Sequence, residues 1–326
     1  MNLTVLGAGA WGTALALILA QNRHRVTLWG HNPARLLEAS NARENHRYLP
    51  GVALPVELIL EPDLSSALRD AEGVIVSIPS NAFREITTQL GSFSGFVVST
   101  TKGIEHNSGL TMCRVLAETA PQALLAALSG PSLAAEVARG VPTAVVAASH
   151  DPKLASLIQD LFHRPSFRVY TSPDLLGVEL GGALKNVVAI AAGACDGLGF
   201  GDNAKAALIT RGLAEMSRLG AACGARPETF IGLSGLGDLT VTCFSKLSRN
   251  RGFGERLGKS EPVAEVLASL RNAVEGYPTC RSAHELAQKL GVSAPITAEV
   301  HATLYEGKSP RRAVADILTR ESKSEA

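Results

Sequence analysis

The sequence predicts an α/β protein whose N-terminal part is a doubly wound, mostly parallel sheet and whose C-terminal part is an all-helical domain. Three observations predict this fold. A short apolar run near the N-terminus leads directly into glycines at positions 7, 9 and 12. Similar runs then alternate with helical stretches to about residue 170, which is typical of a parallel sheet covered by helices on both faces. After about residue 173, long Ala- and Leu-rich stretches follow without strand-like runs.

The strands are predicted from short apolar runs that end at glycine, proline or polar residues. In chain order they cover residues 3–6, 25–29, 56–60, 73–78, 96–100, 124–128 and 143–148. Helices are predicted between and after them at residues 14–20, 33–40, 63–70, 175–195 and 203–223. Proline at position 33 favours the start of a helix, because its missing N–H is not needed there. The change in pattern divides the chain into predicted domains of residues 1–175 and 176–326.

Composition and charge exclude several classes of protein. Of the 326 residues, 46% are hydrophobic and 19% are charged, which excludes an intrinsically disordered chain. The 31 basic residues balance 30 acidic ones to a formal net charge of +1, which argues against a nucleic-acid-binding protein. Aromatic residues make up only 5%, too few for platforms that stack bases. A local pocket for a small anion remains compatible with this charge balance.

The cysteines and the apolar N-terminus bear on the cellular compartment. The five cysteines form no CxxC pair and no spacing typical of a disulfide framework or a zinc site, which favours a reducing cytosol. Residues 1–22 carry no charged side chain, and an uncharged stretch of that length could be a membrane span or a signal sequence. Two features argue against both, because no basic residue precedes the apolar run and three glycines interrupt it. We therefore expect a cytoplasmic protein with no targeting segment and no stable membrane insertion.

The glycines near the N-terminus have the GxGxxG spacing of a Rossmann-type dinucleotide site. Gly7 permits the tight turn, Gly9 lets the backbone approach a pyrophosphate, and Gly12 lets the helix and strand pack closely. The pattern is weak by itself, and a purely structural turn is the alternative. Its place between a strand and a helix favours phosphate binding at the helix N-terminus. A GxGxxA match at residues 199–204 follows no predicted strand, so we do not interpret it as a dinucleotide loop.

The residues after the second strand bear on the choice between NAD and NADP. An acidic residue that binds the ribose of NAD is expected there. The sequence instead has Gly30, His31 and Asn32, with Arg35 nearby. A cation and hydrogen-bond donors would accept the 2′-phosphate of NADP. Alternatively, His31 and Arg35 are ordinary surface residues.

Two segments of the second half combine residues that suit catalysis and phosphate binding. Lys185 lies in an apolar helical stretch, where lost solvation would lower its pKa toward the range useful for proton transfer. Alternatively, its ammonium group reaches water along the protein surface. Asp238 lies between glycines and hydroxyl residues, and Ser248, Arg249 and Asn250 come after it. Such groups suit a phosphorylated polyol, whereas a solvated, charged loop is the alternative.

Several longer motifs carry a family resemblance. They are GAGAWGTALA (7–16), LWGHNP (28–33), TTKGIE (100–105), SGPSLAAEV (129–137), GVELGGALKNVVAIAAGACDGLGFGDNAKAALITRGLAEM (177–216), GLGDLTVTC (235–243), SRNR (248–251) and VEGY (274–277). Over essentially its full length, the chain resembles the soluble bacterial type of NAD(P)-dependent glycerol-3-phosphate dehydrogenase.

This resemblance implies a reversible hydride transfer. Dihydroxyacetone phosphate, NAD(P)H and a proton give sn-glycerol 3-phosphate, the backbone for phospholipid synthesis, and NAD(P)+. No metal is implied, because the cofactor carries the hydride. By resemblance, Lys185 is the general acid in reduction and the general base in oxidation, while Asn186 and Asp238 bind the substrate hydroxyl and align Lys185. Lys102 matches a lysine that contacts both cofactor and substrate, and its charge would help to lower the pKa of Lys185.

The residues and the resemblance together give a set of binding positions. Those expected at the cofactor, NAD or NADP, are Gly7, Gly9, Ala10, Trp11, Gly12, His31, Arg35, Lys102, Ala134, Arg249, Ala273 and Glu275. Those expected at the phosphorylated triose are Lys102, Gly130, Ser132, Lys185, Asp238, Thr242, Ser248, Arg249 and Asn250. Members of the family are often dimers, so a homodimer is expected.

Other functions explain fewer of these residues. A ketopantoate or phosphogluconate reductase shares the glycine turn and a lysine in a helical domain, but does not combine GLGDLTVTC and SRNR with LGGALKNV. A dinucleotide-binding redox sensor would need a module for a protein partner or DNA, and a chain of net charge +1 shows none. A zinc enzyme is disfavoured, because the HE dipeptide at His284 is followed by Gln288 where the HExxH motif has its second histidine.

Overall fold

The computed structural model describes residues 1–270 and 273–319. Contacts divide the chain into two compact units. The first unit comprises Met1–Lys102 and Leu110–Glu179, and the second comprises Gly103–Gly109 and Leu180–Ala326. Neither unit is one continuous stretch of sequence, because the chain contributes a short segment to the second unit and then returns to the first.

The first unit is built on an eight-stranded sheet. Its strands are β1 (Asn2–Leu6), β2 (Arg25–Trp29), β3 (Ile59–Glu61), β4 (Gly73–Val76), β5 (Phe96–Ser99), β6 (Leu124–Ser129), β7 (Thr143–Ala148) and β8 (Phe167–Ser172). The spatial order is β3-β2-β1-β4-β5-β6-β7-β8, and all neighbouring strands are parallel except β6 and β7. The order reverses between β1 and β4, and in open α/β sheets such a reversal leaves a crevice for ligands at the carboxyl ends of the strands.

Helices follow most of these strands. They are α1 (Ala10–Gln21), α2 (Pro33–Ala42), α3 (Leu64–Leu68), α4 (Phe83–Thr87), α5 (Met112–Thr119), α6 (Ala134–Ala138) and α7 (Pro152–Phe162). Side chains that accept a backbone N–H fix where α2, α3 and α7 begin, and they belong to Asn32, Asp63 and Asp151.

Successive side chains of a strand point to opposite faces, so each central strand contributes to two hydrophobic cores. On β1, Leu3 and Val5 join a cluster that contains residues of α1 and α7. Leu6 joins the other cluster, with residues of α4 and α5. Both faces of the sheet are therefore covered, which explains why the parallel strands have nearly continuous apolar sequences.

The second unit consists mainly of helices, and its described part contains no strand. The helices are α8 (Leu175–Gly197), which starts in the first unit, α9 (Asp202–Ala222), α10 (Pro227–Phe230), α11 (Asp238–Phe244), α12 (Arg249–Gly258), α13 (Val263–Ser269), α14 (Gly276–Leu290), α15 (Pro295–Tyr305) and α16 (Pro310–Leu318). A π-helical turn at Leu233–Gly237 leads directly into α11. Side chains of α8, α12, α13 and α15 form much of the core, among them Val187, Phe253, Val266 and Val300.

Helix α8 is the central helix of this unit. Among the described residues it is the one helix long and apolar enough to cross a membrane, but 89% of its apolar window is buried inside the protein, as in the core helix of a soluble protein. It packs closely on α12, because both helices present glycines. A Cβ added at Gly193 would lie 1.9 Å from the carbonyl oxygen of Arg251, and one at Gly254 would lie 1.9 Å from that of Ile190.

The segment Gly103–Gly109 packs within the second unit against α14. The Ser282 hydroxyl donates a hydrogen bond to the carbonyl oxygen of Ile104 at 3.2 Å. The His106 ring nitrogen lies 3.6 Å from a carboxylate oxygen of Glu285. These contacts hold the residues that directly follow Lys102.

Two buried glutamates cap helices that are remote from them in sequence. Glu179 accepts the N–H of Cys113 at 2.7 Å, at the start of α5. Glu215, on α9, accepts the N–H groups of Ile296 and Thr297 at 2.9 and 2.8 Å and the hydroxyl of Thr297 at 2.6 Å, at the start of α15. Burial raises the pKa of both carboxyl groups. Each glutamate therefore joins two helices although its own solvation is lost.

The predicted architecture is confirmed, and the predicted strands are present with ends that differ by up to three residues. The third strand begins at Ile59 because residues 56 and 57 form a turn. Strand β8 was not among the predicted strands, since the exposed side chains of Arg168, Tyr170 and Thr171 interrupt its apolar sequence. The GxGxxA match at residues 199–204 lies between α8 and α9, where no strand precedes it, as expected.

Glu215→Gln is expected to lower the free energy of unfolding by about 1–3 kcal/mol, because an amide NH₂ would face the N–H donors of α15. Burial raises the carboxyl pKa of the folded protein above that of the unfolded chain. The stability contributed by Glu215 is therefore complete below the unfolded-state pKa and is lost as pH rises through the folded-state pKa. Urea unfolding at a series of pH values should show the deficit of the variant shrinking as pH rises.

The exposed Glu38, which lies beyond the first turn of α2, provides the control, since Glu38→Gln removes the same charge away from a helix start. A deficit that grows with pH would mean that the pKa of Glu215 is lowered in the folded protein, contrary to this expectation.

Candidate active site

The turn between β1 and α1 requires glycine at two positions. Gly7 has a φ of +117°, and a Cβ there would lie 2.3 Å from the carbonyl oxygen of Ser77. A Cβ at Gly12 would lie 1.9 Å from the carbonyl oxygen of Gly7. Both clashes are with backbone, which cannot move aside as a flexible side chain can. These glycines therefore let α1, the turn and the end of β4 lie in contact.

Gly9, by contrast, faces open space, since a Cβ added there has no neighbour within 4 Å. It precedes α1, whose N-terminus has no side-chain cap and no acidic residue in its first turn. Open space beside uncapped N–H groups fits the pyrophosphate of a dinucleotide, which the helix dipole also attracts. Ala10 and Trp11 lie in this first turn, and the buried indole Nε1 of Trp11 has no hydrogen-bond partner in the described structure.

Asn45 supports the glycine turn, although it was not predicted as a site residue. Its buried side-chain Nδ2 donates to the carbonyl oxygen of Ala8 at 3.0 Å and to the hydroxyl of Thr13 at 2.9 Å. These bonds join the turn to the first part of α1. No local pattern marks Asn45 in the sequence, because its partners lie 32 and 37 residues away.

The end of β2 carries no carboxylate, as the sequence indicates. Gly30 is buried, the His31 side chain is exposed, and the Asn32 side chain caps α2 by accepting the N–H of Arg35 at 3.0 Å. The Arg35 guanidinium donates to the Tyr48 hydroxyl at 3.0 Å. The structure thus leaves hydrogen-bond donors, and not an acid, at this position.

Lys102 lies close to two other residues expected at the substrate. Its Nζ donates to the carbonyl oxygen of Gly130 at 3.0 Å and lies 3.5 Å from the Ser132 hydroxyl. The backbone at Gly130 has a φ of +140°, and a Cβ there would lie 3.0 Å from the Cα of Val145. Ala134 begins α6 and packs against the core of the sheet.

The centre of the candidate site in the second unit is a buried ion pair. Lys185 Nζ lies 3.0 Å from Asp238 Oδ1 and donates to the Thr242 hydroxyl at 2.7 Å. Only 7% of the lysine side chain and 2% of the aspartate side chain are exposed. The Thr242 hydroxyl in turn donates to the Asp238 carbonyl oxygen at 2.6 Å. The alternatives in which Lys185 reaches water and Asp238 lies in a solvated loop are therefore wrong.

Local structure explains how these residues meet. Asp238 and Thr242 are four residues apart on α11, so they lie on the same face of that helix. The π-helical turn before α11 packs against α8 at Gly181, where a Cβ would lie 2.8 Å from the carbonyl oxygen of Ser234. Gly181 is one helical turn before Lys185, so this close contact brings the lysine to α11.

Two asparagines extend the site next to Lys185. The Asn186 side chain donates to the carbonyl oxygen of Gly182 at 3.3 Å and accepts from Asn250 Nδ2 at 2.8 Å. Asn250 Oδ1 accepts the N–H of Gly276 at 2.9 Å, at the start of α14. These bonds fix the orientation of both amide groups and connect α8, α12 and α14.

The remaining predicted residues of this unit lie at the start of α12 and just before α14. Ser248 caps the helix by accepting the N–H of Arg251 at 3.2 Å. Arg249 is exposed, and its guanidinium donates to the carbonyl oxygen of Ala273 at 2.9 Å. Glu275 follows two residues later and is half-buried. An exposed arginine beside a capped helix start is accessible to a phosphate or a cofactor.

Comparison with known proteins identifies the family. The model of the NAD-dependent glycerol-3-phosphate dehydrogenase N-terminus matches residues 2–155, and that of the C-terminus matches residues 174–315. The chain belongs to this family. Glycerol-3-phosphate dehydrogenase [NAD(P)+] of Citrifermentans bemidjiense is 47% identical over 330 aligned residues, which cover 99% of this chain and 98% of the relative. The enzyme of the same name from Geobacillus thermodenitrificans is 48% identical, with 99% and 96% covered.

Solved structures agree with this membership of the glycerol-3-phosphate dehydrogenase family. The crystal structure of glycerol-3-phosphate dehydrogenase from Coxiella burnetii has a TM-score of 0.95 and 41% identity, covering 98% of this chain and 99% of that one. A ketopantoate reductase from Ralstonia eutropha has a TM-score of 0.59 at 17% identity, which shows a shared fold alone. The alternative of a ketopantoate reductase is thus not supported.

Gly9→Ala and Gly12→Ala are expected to change different properties of the protein, the first NADPH affinity and the second thermal stability. At Gly9 the added methyl group meets nothing, so the variant should unfold at the wild-type temperature but bind NADPH at least about tenfold more weakly, because the methyl group occupies the space beside the helix N-terminus. At Gly12 the methyl group clashes with backbone, so the thermal midpoint itself should fall. Fluorescence titration with NADPH and thermal unfolding measure the two effects. Wild-type NADPH affinity in a folded Gly9→Ala variant would contradict the assignment.

Proposed function

We propose that this chain catalyses the reversible reduction of dihydroxyacetone phosphate to sn-glycerol 3-phosphate with NAD(P)H. The observation that carries the proposal is the buried Lys185–Asp238–Thr242 cluster, found in a chain whose relatives are named glycerol-3-phosphate dehydrogenase [NAD(P)+]. An ammonium group held in one orientation by a carboxylate and a hydroxyl group suits proton transfer to a carbonyl oxygen. The product would supply the glycerol phosphate backbone for phospholipid synthesis.

Proton transfer is assigned to Lys185. The nicotinamide cofactor, when bound, supplies the hydride in reduction and accepts it in oxidation. In reduction, Lys185 Nζ gives a proton to the carbonyl oxygen of the substrate, which becomes the new hydroxyl group. In oxidation, the neutral amine takes the hydroxyl proton. Asp238 and Thr242 keep Nζ aligned through contacts of 3.0 and 2.7 Å, and Asn186 is assigned to the substrate hydroxyl.

Phosphate recognition is assigned to the first turn of α12. Arg249 is an exposed residue, but desolvation of its guanidinium lowers the pKa of that group. An arginine guanidinium can form two parallel hydrogen bonds to phosphate oxygens, and the place of Arg249 suits contact with the cofactor as well. Ser248 and Asn250 are neighbours in the same turn. By resemblance, we also assign Lys102, Gly130 and Ser132 to the substrate, with Lys102 stabilising the charge that develops on the oxygen. Thr242, a hydroxyl residue that follows Asp238 on α11, is assigned to the substrate as well.

Cofactor binding is assigned to the glycine turn and to positions taken from the resemblance. The pyrophosphate is assigned to the N-terminus of α1, and the 2′-phosphate of NADP to His31 and Arg35. The remaining assignments are Lys102, Ala134, Arg249, Ala273 and Glu275. In this proposal residues 1–175 form the dinucleotide-binding domain and residues 176–326 form the substrate-binding domain, and each domain also supplies some of the residues assigned above to the other ligand. We further propose that the enzyme works in the cytoplasm as a homodimer and that its partner is the phosphorylated triose.

The purified chain is expected to oxidise NADPH when dihydroxyacetone phosphate is added, followed as loss of the reduced-nicotinamide absorbance. NADPH should be accepted because the end of β2 carries no carboxylate to repel its 2′-phosphate. Arg35→Ala should weaken NADPH more than NADH, with Arg25→Ala on the exposed start of β2 as the control. No oxidation with either cofactor would refute the activity, and tight binding of NADH with none of NADPH would refute the cofactor assignment.

Lys185→Ala is expected to lower kcat by at least about 100-fold, because the general acid is lost, while NADPH still binds. Since that variant leaves Asp238 buried without its cation, the double variant Lys185→Met/Asp238→Asn, which removes both charges, is measured beside it. Both should be inactive and bind NADPH. Turnover close to wild type in either folded variant would remove Lys185 from the mechanism.

A further inference from the structure

A second cluster of buried charges lies in the second unit and includes no residue assigned above. Asp196 is on α8, Lys205 on α9 and Arg251 on α12. One carboxylate oxygen of Asp196 pairs with Lys205 Nζ, and the other lies 2.6 Å from a terminal nitrogen of Arg251. The exposed fractions of the three side chains are 16%, 8% and 10%. Arg251 also lies 3.1 Å from Glu255 on its own helix.

This cluster reaches the helices that carry the proposed catalytic residues. Asp196 follows Lys185 on α8 by 11 residues, which is close to three full turns, so both lie on the same face of that helix. Lys205 Nζ lies 5.1 Å from the ring centre of Phe244, the last residue of α11, on which Asp238 is the first.

Arg251 itself lies in the first turn of α12, directly after Asn250. Its backbone packs against Gly193 of α8 so closely that a Cβ on that glycine would lie 1.9 Å from the Arg251 carbonyl oxygen. Its side chain then reaches Asp196 on the same helix. The backbone contact at Gly193 sets how closely α8 and α12 approach each other. The ion pair limits how far the two helices can rotate or slide against each other.

We propose that Arg251 and Asp196 are positioning residues for the reaction, whose ion pair holds Arg249 and Asn250 in register with Lys185. The inference rests on the proposed function. Apolar packing has no preferred direction, whereas a buried contact of 2.6 Å between opposite charges is favourable only while the two groups stay close. Loss of the pair leaves the glycine contact between the helices but frees the first turn of α12 to shift along α8. The phosphate is then held out of line with the ammonium group that protonates the carbonyl oxygen.

The test compares two substrates that differ only in the phosphate. Values of kcat/KM are measured for dihydroxyacetone phosphate and for dihydroxyacetone with NADPH, and their ratio is taken for each variant. A defect that only reduces the amount of folded protein lowers both values equally and leaves the ratio unchanged. A misplaced phosphate site lowers the ratio, because dihydroxyacetone does not use that site.

Arg251→Gln should lower the ratio by about ten- to 100-fold, as expected when the phosphate is displaced by about 1 Å. Arg251→Lys, which keeps one charge for Asp196, should lower it less. Arg256→Gln is the matched control, because Arg256 is on the same helix but pairs with Glu261 outside the cluster. It should leave the ratio unchanged. NADPH affinity, measured by fluorescence, should be that of the wild type in Arg256→Gln and should fall together with the ratio in Arg251→Gln, because Arg249 is also assigned to the cofactor.

An unchanged ratio in folded Arg251→Gln would overturn the proposal. If that variant does not fold, Asp196→Asn and Arg251→Lys decide, and a wild-type ratio in both overturns it. Failure of the wild-type protein to reduce dihydroxyacetone phosphate contradicts the proposed function and this inference with it. If the wild-type protein reduces dihydroxyacetone phosphate and the ratio is unchanged in the variants, only the role of Arg251 and Asp196 is contradicted.

Discussion

The ion pair between Lys185 and Asp238 is the interaction that constrains how α8 and α11 pack in the second unit. Both charges have left water, and such a loss is compensated only when the partners meet with good geometry and further hydrogen bonds. Removing one partner of a buried pair typically costs about 3–5 kcal/mol. Helices α8 and α11 must therefore approach closely, and Gly181 and the π-helical turn before α11 allow it. The close packing of α8 on α11 thus lets the charges of Lys185 and Asp238 meet.

Buried carboxylates also join helices at other contacts in this chain. Glu179 and Glu215 each bind the start of a helix that lies far away in sequence, and Asp196 joins α8 to α9 and α12. Apolar surfaces let helices slide and rotate against one another, because their attraction depends on buried area and not on direction. Hydrogen bonds and ion pairs have preferred angles and so select one arrangement. The apolar residues of this chain thus supply cohesion, while a few buried polar groups define the geometry.

Features with a local signal were predictable from the sequence, and features made by distant residues were not. The alternation of apolar runs predicts the sheet, and glycine spacing predicts the turn at Gly7. Lys185 and Asp238 could be singled out, but their 3.0 Å contact joins positions 53 residues apart, so local pattern left a surface lysine and a solvated loop as alternatives. Asn45 and Glu215 gave no signal, since their partners are remote. Strand β8 was not predicted, because exposed polar residues interrupt the apolar pattern of its buried residues.

The excursion of Gly103–Gly109 into the second unit has a consequence for how this protein can be divided. The first unit begins and ends on either side of that excursion, so its sequence surrounds a piece of its neighbour. A fragment that stops at residue 175 would lose Glu179, which caps α5, and would leave Ile104 without Ser282. One cut in the chain near residue 175 would therefore separate parts that are interleaved in sequence. Neither unit can be transferred to another protein as one continuous segment of this chain.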